Sequence, residues 1–333
     1  MSTALIRYII TSFSAVCLVA AVSLTVSAQQ AKPSPTPLPQ DTSPIRIPVR
    51  RVRLPITVQN KKGDFVPGLT QSDFVILEDK IPQAIETFSD DVSQLPLYVA
   101  VLMDTSPSTA GKLKFQQESA MNFIQTVVKA RKDRVLFGTF DDQVTLLQDF
   151  TERLDLLDKA VYGVKKMGKQ TALFDAVWEF CDQKMRSVPG RRVLLLVTDG
   201  EDTYSRANIR DAIDIAQRTE TTIFAISTKA GFLSTVPGVE AGQVADKKDR
   251  DLKTLAEETG GSAFFTGDML SLERSFNRIS KELRAQYLVT YNPTNKVYDG
   301  KFRKIDVKLA GGHDGLKVKT KDGYKAIADS VTP

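Results

Sequence analysis

Asp104, Ser106 and Ser108 place one carboxylate and two hydroxyls at alternate positions in the run Leu97-Tyr-Val-Ala-Val-Leu-Met-Asp-Thr-Ser-Pro-Ser108. These are hard oxygen donors, suited to Mg²⁺, Mn²⁺ or Ca²⁺. They suit zinc poorly, because zinc prefers nitrogen and sulfur. The residues before Asp104 are almost wholly apolar over strand length, the pattern of a strand covered on both faces in a parallel sheet. Ligands of open α/β sheets bind just beyond the carboxyl ends of such strands. D-x-S-x-S alone is weak, since average residue usage produces it by chance in roughly one chain in ten of this length.

Two further segments strengthen the reading. Gly168-Lys-Gln-Thr-Ala-Leu-Phe-Asp-Ala-Val177 puts Thr171 in a loop just before an amphipathic helix. Arg191-Arg-Val-Leu-Leu-Leu-Val-Thr-Asp-Gly200 is a second buried-strand run that also ends in an aspartate, Asp199. With these residues the chain, over about residues 95–285, resembles the von Willebrand factor type A (VWA) domain. The metal-ion-dependent adhesion site of that family (MIDAS) is D-x-S-x-S with a distant Thr and a distant Asp. The resemblance implies metal ligation by Asp104, Ser106, Ser108, Thr171 and Asp199, with the hydroxyls meeting the metal directly and the aspartates often acting through water. It also implies an open metal position that a partner's acidic group completes. Asp202 is a candidate for the rim of the site. Asp175, inside the following helix, is expected to bond backbone or face solvent. The bland account is that strand-end Asp and Ser cap helices and stabilise turns.

Enzymatic readings fit less well. An aspartate-nucleophile phosphatase needs a second Asp where Ser106 stands. A receiver domain needs an acidic partner beside Asp104, although Lys229 invites the comparison. G-x-S-x-G, H-E-x-x-H and P-loop patterns are absent. The single histidine, His313, falls in a Gly-rich turn outside the α/β region. The chain is therefore expected not to be an enzyme.

The elements that must position these side chains alternate from Leu97 onward as in a doubly wound, mostly parallel sheet. Helices are predicted over 112–129, 154–164, 173–185, 209–218 and 272–283, with another ending at Gly260-Gly261. Strands are predicted over 135–140 and 144–147, joined by Asp141-Asp-Gln143 as an antiparallel pair, and over 223–226 and 263–265. Residues 229–250 are expected to be a long irregular insertion. On either side lie small β segments, 51–94 and 286–333. Each is too short for its own core, so they are expected to pair into one sandwich-like module around the VWA domain. The leader Val58-Gln-Asn-Lys-Lys-Gly-Asp-Phe-Val-Pro-Gly-Leu69, with Asp73-Phe-Val-Ile-Leu-Glu-Asp79, resembles that of the secreted VWFA-related family known mainly from acidobacterial proteins. Lys80 stands where that family often has glycine, a departure confined to a turn.

The chain has 333 residues, 42% hydrophobic and 26% charged, enough for two domains. Residues 1–28 are identified as a secretory signal peptide. Arg7 precedes an uncharged apolar stretch, Tyr8 to Val26, and Val26-Ser-Ala28 offers a cleavage point. The same stretch would serve as a membrane anchor if uncleaved. A lipoprotein site at Cys17 lacks the usual upstream leucine. Residues 29–50, rich in proline, read as an extended tether. Cys181, alone once the leader is removed, reads as a small buried hydrophobe. Net charge is +5. Residues 95–285 are balanced at 27 basic and 27 acidic residues, while 286–333 carry 9 and 5. Those last lysines alternate with apolar residues, as on the wet face of a strand, and nothing indicates nucleic acid.

The expectation is an exported protein of the periplasm, cell envelope or medium. It captures an acidic group of a protein or extracellular-matrix or envelope ligand through a divalent cation, Mg²⁺ foremost and Mn²⁺ or Ca²⁺ as alternatives. The rival expectation is a scaffold in which the metal only stiffens loops.

Overall fold

In the computed structural model, described over residues 51–326 apart from 93–94, 130, 166, 230–245, 266–268, 312 and 314, strands flank an α/β core. The leader, the proline-rich tether and most of the 229–250 insertion lie outside the described residues. The first strands are β1 (Val52–Gln59), β2 (Phe74–Glu78), β3 (Ile81–Gln83) and β4 (Ile85–Ser89). The core follows as β5 (Leu97–Asp104), α1 (Leu113–Val127), β6 (Arg134–Phe140), β7 (Val144–Thr151), α2 (Leu154–Tyr162) and α3 (Leu173–Glu179). It continues through β8 (Arg191–Thr198), α4 (Ile209–Arg218), β9 (Thr221–Ser227), α5 (Lys247–Glu258), β10 (Ala263–Phe264) and α6 (Met269–Arg284). The chain closes with β11 (Tyr287–Tyr291), β12 (Phe302–Leu309), β13 (Lys317–Lys319) and β14 (Gly323–Lys325).

The central sheet has the order β10-β9-β8-β5-β6-β7. All its neighbours are parallel except β6 and β7, the antiparallel edge expected from the short 141–143 link. Apolar side chains on both faces account for the continuous runs in the sequence. Val99, Val101 and Met103 of β5 pack with α1, α2 and α6, while Ala100 and Leu102 pack with α3, α4 and α5. Several boundaries shift from expectation; β7, predicted to end at Leu147, runs to Thr151, and two further differences stand out. The helix predicted to reach Met185 is α-helical only to Glu179 and continues as a π-helical turn, Phe180–Met185. Residues 247–250, expected to be irregular, are the first turn of α5, which Asp246 caps by accepting from Asp249 N at 3.0 Å.

The flanking strands form two antiparallel sheets, β13-β1-β11-β4 and β14-β12-β2-β3, each mixing N- and C-terminal segments. One apolar cluster draws on both sheets, including Leu54, Ile56, Phe74 and Ile76 with Tyr287, Val289 and Ile305. Within it Glu78 is buried; its carboxylate accepts from Tyr291 Oη at 2.7 Å, Tyr324 Oη at 2.9 Å and Arg303 Nη1 at 3.1 Å. A second buried carboxylate, Asp133, marks where the chain enters and leaves the core. It accepts from Leu97 N at 2.9 Å, Lys129 N at 2.8 Å and Arg284 Nη2 at 2.6 Å.

Candidate metal centre

Asp104 ends β5 in the middle of the central sheet and is fully buried. Its Oδ1 accepts from Ser106 N at 2.8 Å, and its Oδ2 accepts from Thr198 Oγ1 at 2.6 Å. Ser106 and Ser108 follow on the turn, with their hydroxyls 3.1 Å apart, the first buried and the second exposed. Thr109 Oγ1 donates to the carbonyls of Asp104 and Ser106, tightening that turn into the short helical segment Pro107–Lys112.

The other two loops are stitched to this one. Gly168 N donates to Thr105 O at 2.8 Å, and Thr105 Oγ1 donates to Asp141 Oδ2 at 2.7 Å. Ala172 N donates to Asp141 O, which holds the loop carrying Thr171 beside the end of β6. Thr171 is buried, and among the described residues its hydroxyl makes no hydrogen bond, while its backbone joins Thr203 and Tyr204. Asp199 follows β8, is buried, and accepts from Glu201 N at 3.1 Å. The next residue, Gly200, has φ +77°, and a Cβ there would lie 2.9 Å from Leu252 Cδ1. Glycine alone suits that turn.

Burial pushes the Asp104 carboxyl up to about 6; bonds from Ser106 and Thr198 oppose the rise, and the Asp199 charge adds to it. Neither aspartate is in an ion pair among the described residues, and two neighbouring buried carboxylates without a counter-charge are costly. With the hydroxyls of Ser106, Ser108 and Thr171, these carboxylates make a donor set that fits a hard divalent ion. Among the described residues, no group of three or more His, Cys, Asp or Glu is placed to hold a metal. Hydroxyls are therefore essential to any site here.

Asp202 and Asp175 both bond neighbouring loops and helix starts. Asp202 Oδ1 accepts from Leu173 N at 2.9 Å and Ser205 Oγ at 2.5 Å, bracing the start of α3, and burial raises its carboxyl above the usual range. Asp175 accepts from the backbone of Arg206 and Ala207, as the sequence suggested. Three residues escaped the sequence reading. Thr198 and Thr109 brace Asp104 from within ordinary-looking runs. Tyr204 is 53% exposed beside Thr171.

The sequence pattern of the family described as von Willebrand factor type A domain matches residues 99–278. The chain belongs to this family. VWA domains are non-catalytic binding and adhesion modules, in agreement with the expectation that the chain is not an enzyme. No curated protein matches. Among solved structures, the chain is similar to an aerotolerance-related membrane protein from Bacteroides fragilis. Identity is 12% over 56% of this chain and 98% of that one, with a TM-score of 0.44. It is also similar to proximal thread matrix protein 1 of the mussel byssus, at 16% identity over 60% of this chain and 48% of that one, TM-score 0.45. This chain thus spans about half the length of the mussel protein. The chain is similar, too, to the PilB minor pilin from Streptococcus sanguinis, at 13% identity over 58% of this chain and 62% of that one, TM-score 0.42.

Proposed function

We propose that this VWA protein is an exported, metal-dependent binding protein that captures an acidic group through a MIDAS-type site. Asp104, Ser106, Ser108, Thr171 and Asp199 would hold the ion, Mg²⁺ foremost. A divalent cation so held supplies a concentrated positive charge with a coordination position left for a ligand carboxylate. The protein's part is to pre-organise the donors. Thr198 and Ser106 N orient the Asp104 carboxylate, Asp141 and Thr203 hold the Thr171 loop, and Ser108 and Tyr204 stand exposed at the mouth. The observation that carries the reading is the buried Asp104 carboxylate, set near Asp199 with no cation paired to either among the described residues.

The same proposal takes residues 1–28 as a signal peptide, 29–50 as a linker, and 95–285 as the VWA domain. Segments 51–94 and 286–333 together make a sandwich-like module, supported by the apolar cluster their two sheets share. Membership of the secreted VWFA-related family rests on the leader motif, and Lys80 at φ +70° occupies a backbone position that favours glycine. The partner is a protein or an envelope or matrix ligand presenting a carboxylate.

A scaffold is the alternative, favoured by the hydrogen bonds that already brace the three loops. The test is calorimetric titration of Mg²⁺ and Mn²⁺ into the chelator-treated full chain, beside Asp104→Ala. Saturable binding that the variant loses supports the proposal; a folded protein that takes up neither ion sinks it. Partner binding that survives chelator would favour the scaffold.

A further inference from the structure

A second candidate site lies at the opposite end of the core. Arg284 bonds Asp133, which holds Leu97 N at the start of β5. Asp104 ends that strand, about 23 Å away at 3.3 Å per residue. Beside Arg284, the turn Lys62–Phe65 after β1 and the outer face of α6 enclose an open cleft of about 890 Å³. Arg274, Arg278 and Lys281 line it from the helix at i, i+4 and i+7, a stripe about 10 Å long. Lys62 faces them from the turn, and Asp64 is the one carboxylate among the lining residues. Among the described residues, Lys62, Arg274, Arg278 and Lys281 are in no ion pair. Gly63, at φ +85°, brings the turn close, and a Cβ there would lie 3.4 Å from Arg278 Nη2. Attraction to the helix dipole accounts for basic residues in the last turn of α6. It does not account for Arg274, two turns earlier, or for Lys62 on another element.

We propose that this cleft binds an acidic polysaccharide, independently of the metal centre. Guanidinium forks match carboxylates or sulfates two bonds at a time, and a stripe of cations on one wall with a lysine opposite suits a linear chain of repeating acids. The half-buried Phe65 ring offers a face for a sugar ring. An acidic peptide fits less well. Arg clusters do recognise acidic motifs in peptides, but peptide hot spots also draw on anchors in desolvated pockets, and the cleft is open, with Phe65 its one large apolar side chain.

The test is binding of a galacturonic acid decamer to the full chain in EDTA, by calorimetry at low and high salt. Saturable binding is expected, weakened about tenfold or more by 0.3 M salt. The double reversal Arg274→Glu/Arg278→Glu should abolish it, while Lys304→Glu/Lys308→Glu, an equal charge change at exposed positions on β12, should leave it intact. Arg278→Ala, an exposed truncation, should weaken it about tenfold, and it keeps the test decisive if the double variant fails to fold. Three results would overturn the proposal: no binding by the parent chain, undiminished binding by the Arg278 variants, or tighter binding of polyglutamate of matched charge. Binding that needs Mg²⁺ would also overturn it, by returning the ligand to the Asp104 centre.

Discussion

At the scale of single residues, two threonines near Asp104 separate metal binding from stability. Thr198 donates to a buried carboxylate at 2.6 Å, whereas the Thr171 hydroxyl has no hydrogen-bond partner among the described residues. Thr198→Val should cost about 1–3 kcal/mol of folding free energy, because it strands a buried acceptor. Thr171→Ala should stay within about 1 kcal/mol of the parent while weakening Mg²⁺ binding at least tenfold. Urea denaturation in EDTA, alongside calorimetry, reads both quantities. An equal loss of stability in the two variants would remove the reason for assigning Thr171 to the metal. The contrast also shows what was legible. Asp104, Ser106 and Ser108 stand out because polar residues abruptly end an apolar run. Thr198 sits one residue before Asp199 at the end of a similar apolar run, and nothing in its neighbours marks the hydroxyl as aimed across the sheet. For Asp202, the bond that its Oδ1 accepts from a distant helix start, Leu173 N, cannot be read from spacing.

Elements were legible where burial on both faces leaves one solution. The middles of β5 and β8, residues 99–103 and 193–197, alternate between two apolar layers, so each of those positions is apolar whichever face it meets. Helix ends were less so. The pattern over 173–185 keeps its apolar spacing through Phe180 and Met185, and the change to a π-helical turn leaves no mark in that spacing. Turns carry a sharper signal. Asp79 and Lys80, between β2 and β3, have φ +49° and +70°, both in the left-handed region. The mirror-image turn of a two-residue hairpin demands this, and Asp-Gly meets it best. A left-handed L-residue costs roughly 1–2 kcal/mol, part of which glycine gives back in unfolded-state entropy. Lys80→Gly should therefore stabilise the chain by about 0.5–1 kcal/mol, seen as a higher urea midpoint at unchanged slope. A lower midpoint would mean that the Lys80 side chain contributes more than its backbone costs.

For the whole molecule, the decisive joints are buried carboxylates. Glu78 comes from the N-terminal segment, and Tyr291, Arg303 and Tyr324 from the C-terminal one. Glu78→Ala leaves Arg303 buried without its counter-charge and should cost about 3–5 kcal/mol, measured by denaturant unfolding. A loss below about 1 kcal/mol would mean that the apolar cluster alone joins the segments. Pairing between distant segments was foreseeable from their length, since neither builds a core alone, but the register that brings four polar groups together was not. Asp133 has a different consequence. By holding Leu97 N and the Arg284 guanidinium on one carboxylate, it sets the first and last residues of the α/β core side by side. A unit whose entrance and exit share one doorway can be lifted out as a cassette. Replacing residues 96–285 with a short Gly-Ser bridge should leave the two outer segments able to find each other, because the bridge has little distance to span. Circular dichroism and cooperative melting of that shortened chain would show a free-standing β module. A random-coil spectrum would mean that the inserted core is the template on which its own frame is assembled.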